Sequence, residues 1–442
     1  MTVFIYTLGC KLNQCESEAI ADAFTHQGFE VVSSDQRADL YIVNTCTVTS
    51  KAEQKARRMI RKYANEEQKP VVLVSGCYAQ MEKEELQNLH KRVVVVSLDD
   101  KPLLLQLPLF LSHTHIASID LLEAVKEFAL RNEQKESSPF DYDAASFSVH
   151  SRAFVKIQDG CDNRCAYCRV SLARGAAVSL EYQQVLQRIA ALQEQGYAEI
   201  VLTGVNISAY QSDDVDLAKL LKLLLAQSGA SVRFRLSSLE PDRLDAPLIE
   251  LFSDYRIQPH FHLPVQSASD VVLKRVNRHY DVKRLYEAVS LLRQVKNDPF
   301  IAADMISGLP GETEEEFEKS YRVIKELDFS QLHVFPFSPR PQTPLFAAKD
   351  RVPEYVRDQR AKKLRALSAI HYRRYMGRQI GQEGEVILEQ IQDDSSWRGI
   401  SGNYLHVVVE DVPNQLKRGA LVPVIFEKQA AQIVPIARLR YA

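Results

Sequence analysis

No stretch of this 442-residue sequence stays apolar for the about 20 residues that a membrane-spanning helix needs. The most hydrophobic run, LLLQLPLFL at 103–111, falls well short, and MTVFIYTLGCK at the start lacks the basic opening and apolar run of a signal peptide. A cytoplasmic protein without membrane association is expected. Neither sign of charge dominates: the formal net charge of -2 argues against indiscriminate attraction to polyanions and leaves room for local basic patches. Repeats and low-complexity tracts are absent. The glycine-containing turn GLPGE at 308–312 lacks the Lys-Ser/Thr of a nucleotide-binding P-loop. The 7 cysteines are an odd number, so disulfides cannot use them all, and in a reducing compartment clustered cysteines more often bind metal or do chemistry.

What is present divides into segments. The length suggests about three domains on the usual ~150 residues each, and 45% hydrophobic content is ample for their cores. From 1 to about 100, the apolar runs VFIY, LYIVN, VVLVS and VVVV alternate with amphipathic stretches, which predicts an open α/β sheet. Cys10, Cys46 and Cys77 each follow one of these runs. If the runs are parallel strands, the three thiols emerge together at the carboxyl ends, where such sheets hold ligands. NEQKESSPFDYD has the composition of a linker. After it FVKI, EIVLT, VRFRLSS, HFHLPV, FIAADMIS and LHVFPFS alternate with helical patterns and predict a (βα)6 partial barrel, whose chemistry belongs at the carboxyl ends of its strands. The runs EGEVILEQI, SGNYLHVVVED and ALVPVIFE predict a small terminal β-barrel. The expected division is 1–115, an N-terminal α/β domain; 116–146, a linker; 147–376, the partial barrel; and 377–442, the β-barrel.

CDNRCAYC, which follows the first barrel strand, sets Cys161, Cys165 and Cys168 in one loop. Three thiolates can each ligate one iron of a four-iron four-sulfur cube, leaving the fourth iron open to a small molecule. Zinc is the main competitor, but a structural zinc takes four ligands, and neither a fourth Cys nor a His lies in the loop.

This Cys-x3-Cys-x2-Cys loop resembles that of the radical S-adenosylmethionine superfamily. Together with GCKLNQCES at the start and the terminal barrel, the chain resembles the methylthiotransferases of that superfamily over essentially its whole length. The resemblance implies two 4Fe-4S clusters. Cys161, Cys165 and Cys168 would hold the catalytic one, where S-adenosyl-L-methionine is cleaved to a 5′-deoxyadenosyl radical; Cys10, Cys46 and Cys77 would hold a second, where sulfur is methylated by another cofactor molecule. Tyr167 matches the position that lies against the adenine. By strand-end position Asn206, Ser237, Glu240 and Gln266 are candidate cofactor contacts. The terminal barrel resembles the TRAM domain, which binds RNA in tRNA-modifying members.

TLGCKLNQCES further resembles the branch that acts on threonylcarbamoyladenosine in tRNA. The implied reaction adds sulfur and methyl to N6-threonylcarbamoyladenosine at position 37 of tRNA, with an electron-donor protein and a sulfur source of unknown identity as partners. Alternatives are the isopentenyladenosine of tRNA, a ribosomal-protein aspartate, or a non-enzymatic iron-sulfur RNA-binding protein. Ser171, Ala268 and Gln342 depart from residues common in the family, and Cys15 is an extra thiol read as a bystander. Two basic stretches are candidate RNA contacts: Lys51, Lys55, Arg58 and Lys62 on one helix face, and 357–378 with Tyr372 and Tyr375 among its arginines. His260 and His262 share one face of a strand and are read as packing or hydrogen-bonding groups.

Overall fold

The computed structural model describes residues 1–32, 36–114, 120–132, 137–142, 151–392, 396–427 and 436–439. The chain forms two compact units: one comprises 1–149, 156–180 and 338–346, and the other comprises 150–155, 181–337 and 347–442.

The first unit is built on a parallel sheet of β1 (Thr2–Thr7), β2 (Glu30–Val31), β3 (Leu40–Thr45), β4 (Val71–Gly76) and β5 (Val93–Val95), in the order β2-β1-β3-β4-β5. The unbroken apolar runs become strands covered on both faces: every residue of β3 and β4 is buried. On one face α1 (Lys11–His26) contributes Ala19, Ile20 and Phe24 to the core; on the other α2 (Ser50–Ala64) contributes Ala56, Ile60 and Tyr63. The expected linker 116–146 lies partly outside the described residues, and its described part is not all linker. Leu121–Asn132 is a helix whose Leu122, Ala124, Val125 and Phe128 join the first core, because four apolar residues at helical spacing gain more by burial than a polar flank costs.

In the second unit the six anticipated runs are all strands: Ala153–Lys156, Glu199–Thr203, Arg233–Leu236, His260–Gln266, Phe300–Ser307 and Gln331–Pro336. They form two three-stranded halves joined at an isolated bridge between Phe234 and Ile257, where Phe234 N donates to Arg256 O at 2.7 Å and its carbonyl accepts from Gln258 N at 2.8 Å. The terminal segment closes into the expected β-barrel, which has five strands. The helix Glu354–Gln379 leads into it and buries Leu364, Leu367, His371 and Tyr375. Among the described residues no helix is long and apolar enough to cross a membrane.

Candidate metal centres

In the sheet order of the first unit, β1 lies between β2 and β3, so the connections leaving β1 and β3 diverge. A divergence of this kind marks the carboxyl edge as the usual ligand position in this topology. Cys10 lies just past β1, Cys46 directly follows β3, and Cys77 directly follows β4. Cys10 is exposed, whereas Cys46 and Cys77 are buried. The close approach depends on glycine: Gly9 has φ +103°, and a Cβ there would stand 2.8 Å from Cys46 Cβ and 2.9 Å from its Sγ. Gly76, at φ +100°, would place a Cβ 2.4 Å from Thr45 O. Asn13 ties two of the loops together, its amide donating to Leu8 O at 2.7 Å and to Thr45 O at 3.0 Å.

Burial pushes the Cys46 thiol up to about 12, and the neighbouring Cys10 and Cys77 add to the shift. Cys77 is raised by burial too, against the pull of Arg174. Metal binding requires the thiolates, so a cation bound here would displace the protons that burial keeps on Cys46 and Cys77.

Arg174 is buried at this centre. Its Nε donates to Cys77 Sγ at 3.2 Å, Nη1 to Glu16 Oε1 at 3.0 Å and Asp159 Oδ2 at 2.9 Å, and Nη2 to Asn13 Oδ1 at 3.0 Å. Lys101 and Lys156 also contact Glu16, the latter at 2.8 Å. Burial pushes the Glu16 carboxyl up, but Arg174, Lys101 and Lys156 together outweigh it and hold the group well below the usual carboxylate range.

The 161–168 loop belongs to the same unit. Cys161 N donates to Gly175 O at 3.2 Å, which pins the start of the loop, and Cys168 N donates to Cys165 O at 3.0 Å, which turns its end. Burial pushes the Cys168 thiol up to about 12, helped by Cys165 and Cys161. Arg169 next to it is buried and reaches Glu53 Oε1 at 3.3 Å; Arg340 meets the same carboxylate. Among the described residues no three His, Cys, Asp or Glu groups close on a single metal ion. Both trios offer thiols alone as donors, the donor set that an iron-sulfur cube takes.

Of the other candidates, Tyr167 is half-buried within this loop. Asn206, Ser237, Glu240 and Gln266 lie in the second unit, at or just beyond strand ends; the first three are buried and Gln266 is half-buried, with φ +61°. Glu240 is already engaged by Arg278, whose Nη1 donates to its Oε1 at 3.2 Å. Three buried hydroxyls at the same strand ends, those of Thr203, Ser237 and Ser267, have no hydrogen-bond partner among the described residues. Buried polar groups left open in this way suit a polar ligand.

Comparison with known proteins shows the family. Residues 2–97 match the model of uncharacterized protein family UPF0004, and residues 155–324 match that of the radical SAM superfamily. The threonylcarbamoyladenosine tRNA methylthiotransferase MtaB of Treponema pallidum is 38% identical, covering 92% of this chain and 94% of its own. Its namesake from Bacillus subtilis is 34% identical over 96% and 94%. The chain belongs to the radical SAM tRNA methylthiotransferase family. The tRNA-2-methylthio-N(6)-dimethylallyladenosine synthase of Bartonella henselae is 31% identical over 96% of this chain and 93% of its own. Among solved structures the radical S-adenosylmethionine methyltransferase TsrM of Kitasatospora setae shares the fold, with a TM-score of 0.54 at 14% identity over 78% of this chain and 77% of its own.

S-adenosyl-L-methionine and 4Fe-4S clusters are therefore the cofactors of this methylthiotransferase. Reasoning from the sequence missed Arg174, Glu16, Lys101 and Lys156, the charged residues packed against the second trio. The one available signal was Glu16, placed on a helix directly after a strand-end cysteine. Part of the 357–378 stretch read as an RNA contact is already engaged within the protein. Tyr375 is fully buried with its ring 5.1 Å from that of Phe300 and nearly perpendicular to it. Arg374 pairs with Asp328 at 2.9 Å and Arg378 with Asp298 at 3.0 Å. Cys15 is buried in α1, as a bystander would be. His260 stacks on Tyr404 with ring centres 4.0 Å apart, and His262 faces Asp304 at 2.9 Å, so both pack as anticipated.

Proposed function

We propose that this methylthiotransferase converts N6-threonylcarbamoyladenosine at position 37 of tRNA to its 2-methylthio derivative. The observation that carries this reading is near-full-length identity of 38% and 34% to two relatives named for that substrate. The opening segment TLGCKLNQCES, whose Asn13 bridges the loops of Cys10 and Cys46, supports it.

In this reading Cys161, Cys165 and Cys168 hold the catalytic cluster, and Cys10, Cys46 and Cys77 hold the second. Tyr167 lies against the cofactor's adenine, while Asn206, Ser237, Glu240 and Gln266 supply polar contacts, Glu240 doing so as a pair with Arg278. The division into 1–115, 116–146, 147–376 and 377–442 is kept for the catalytic roles, with Leu121–Asn132 packing as part of the first. The target C–H lies on an aromatic ring and has no acidic proton, so acid-base catalysis has no foothold. The cluster and S-adenosylmethionine, when bound, supply the hydrogen-abstracting radical. The chain's own task is positioning and charge control. Gly9 and Gly76 let the loops close, and Arg174 donates to a ligand sulfur while neutralising the carboxylates beneath it. An electron donor and a sulfur source complete the reaction.

Nucleoside mass spectrometry of tRNA from cells lacking the gene tests the proposal. The expected result is loss of the 2-methylthio-threonylcarbamoyl nucleoside and accumulation of its unthiolated parent. Loss of the isopentenyl derivative in its place would transfer the enzyme to the branch of the Bartonella relative, and persistence of both would remove tRNA as substrate.

A further inference from the structure

The sequence of α2, SKAEQKARRMIRKYA, carries six basic residues and one acid in a chain whose formal net charge is -2. The acid, Glu53, is buried and taken up by Arg169 and Arg340. Arg57 is joined to Glu85 and Tyr78. The remaining five, Lys51, Lys55, Arg58, Arg61 and Lys62, are exposed, and among the described residues none of them has an ion-pair partner. Arg374 and Arg378 of the helix Glu354–Gln379 are, by contrast, neutralised by Asp328 and Asp298.

Like charges three and four residues apart on a helix repel, so this face is destabilising until an anion lies along it. Lys51, Lys55, Arg58 and Lys62 run in one row of about 16 Å at 1.5 Å per residue. The row has a fixed origin: Thr49 caps α2 by accepting from Ala52 N at 3.2 Å, three residues after Cys46, so it starts beside the second metal centre. At that end the half-buried ring of Tyr6, on β1 shortly before Cys10, lies 5.9 Å from Lys55 Nζ. No exposed residue of α2 is a large apolar one, so the face lacks the anchor that a protein interface centres on. A linear row of unpaired cations with an aromatic ring at its edge suits a nucleic-acid backbone.

We infer that the outward face of α2 binds the phosphate backbone of the tRNA substrate beside the second centre, an inference that rests on the tRNA reading above. The test is a Lys55→Glu/Arg58→Glu double variant of the full-length holoprotein, titrated anaerobically with the tRNA across a salt series. The expected result is at least a tenfold loss of affinity at low salt. The dependence of log K on log salt should also become shallower by roughly 0.7 to 0.9 for each phosphate that is no longer neutralised. Iron content and S-adenosylmethionine cleavage by the reduced protein without tRNA should match the wild type, which separates a lost docking surface from a misfolded one. A Lys55→Arg/Arg58→Lys variant should bind like the wild type. Unchanged affinity and slope in the charge-reversal protein would overturn the inference. So would unchanged tRNA binding with slowed reduction by an acidic electron carrier, which would make the face a reductase dock. A wild-type protein that converts no tRNA at all would instead defeat the functional reading itself.

Discussion

Arg174 donates its Nε to the sulfur of Cys77 at 3.2 Å while its two Nη groups hold Glu16, Asp159 and Asn13. One side chain thus couples a proposed cluster ligand to two buried carboxylates. Replacing it by Met leaves those carboxylates short of a cation in a buried site. Removing one partner from a buried network of this kind costs about 3–5 kcal/mol. Denaturant unfolding should show that loss for Arg174→Met. Arg174→Lys, which keeps the charge without the fork, should recover part of it. If sulfur donation matters as well, the second cluster of the Lys variant should show a reduction potential lowered from that of the wild type.

The six cysteines divide into two sets with separable outcomes. Ala at Cys161, Cys165 and Cys168 should remove about four irons and abolish cofactor cleavage; Ala at Cys10, Cys46 and Cys77 should remove about four and leave cleavage intact while stopping sulfur insertion. Iron analysis and detection of 5′-deoxyadenosine check both. Cys15→Ser should retain the full iron content.

Gly76→Ala should damage the second centre without touching a ligand. Its φ of +100° and the 2.4 Å approach of a Cβ to Thr45 O leave no room for the methyl group, so the Cys77 end of β4 must shift. Iron content close to that of the second triple-Ala protein, with cofactor cleavage preserved, is the expected outcome.

Glu312 gives the second unit a pH dependence. Burial pushes its carboxyl up to about 7 from 4.5, against the pull of the Gly308 N–H and Arg360. The folded state therefore holds this proton where the unfolded state has released it, and stability falls as pH rises from about 4.5 towards 7, then levels off. Glu312→Gln should flatten that slope. Unfolding curves of the two proteins at pH 5.5 and 8 measure the difference, which is on the order of 2 kcal/mol or less.

Arg374→Ala and Arg378→Ala should barely alter the salt dependence of tRNA binding, since both cations are already matched by Asp328 and Asp298. Being half-exposed pairs, each should cost at most about 1 kcal/mol of stability.

The apolar runs made the strands legible in the sequence, and the strand-end rule then brought Cys10, Cys46 and Cys77 together from positions far apart in the chain. What stayed hidden was charge pairing over long separations. Asp298 and Asp328 neutralise arginines 80 and 46 residues away, and Arg174 reaches Glu16 across 158. No local pattern reports such partners, so a solvated face and a cancelled one look alike. Tyr375 misled for a related reason: an aromatic among arginines is equally compatible with a helix that turns that tyrosine into a core. Leu121–Asn132 was obscured by the polar tract that follows it.

The small terminal barrel shares its core with the strand Phe300–Ser307, since Phe300 and Ala302 pack among Val386, Leu388, Val407 and Val424. The buried Arg235 also donates to the carbonyls of Gly402 at 3.0 Å and Ser401 at 3.1 Å while holding Glu199. The barrel is therefore not a detachable cartridge. Cutting the chain near residue 380 would strip Phe300 and Tyr375 of their cover and leave Arg235 with two donors unmet, so grafts that treat the C-terminal segment as a portable module will need to carry these residues with it.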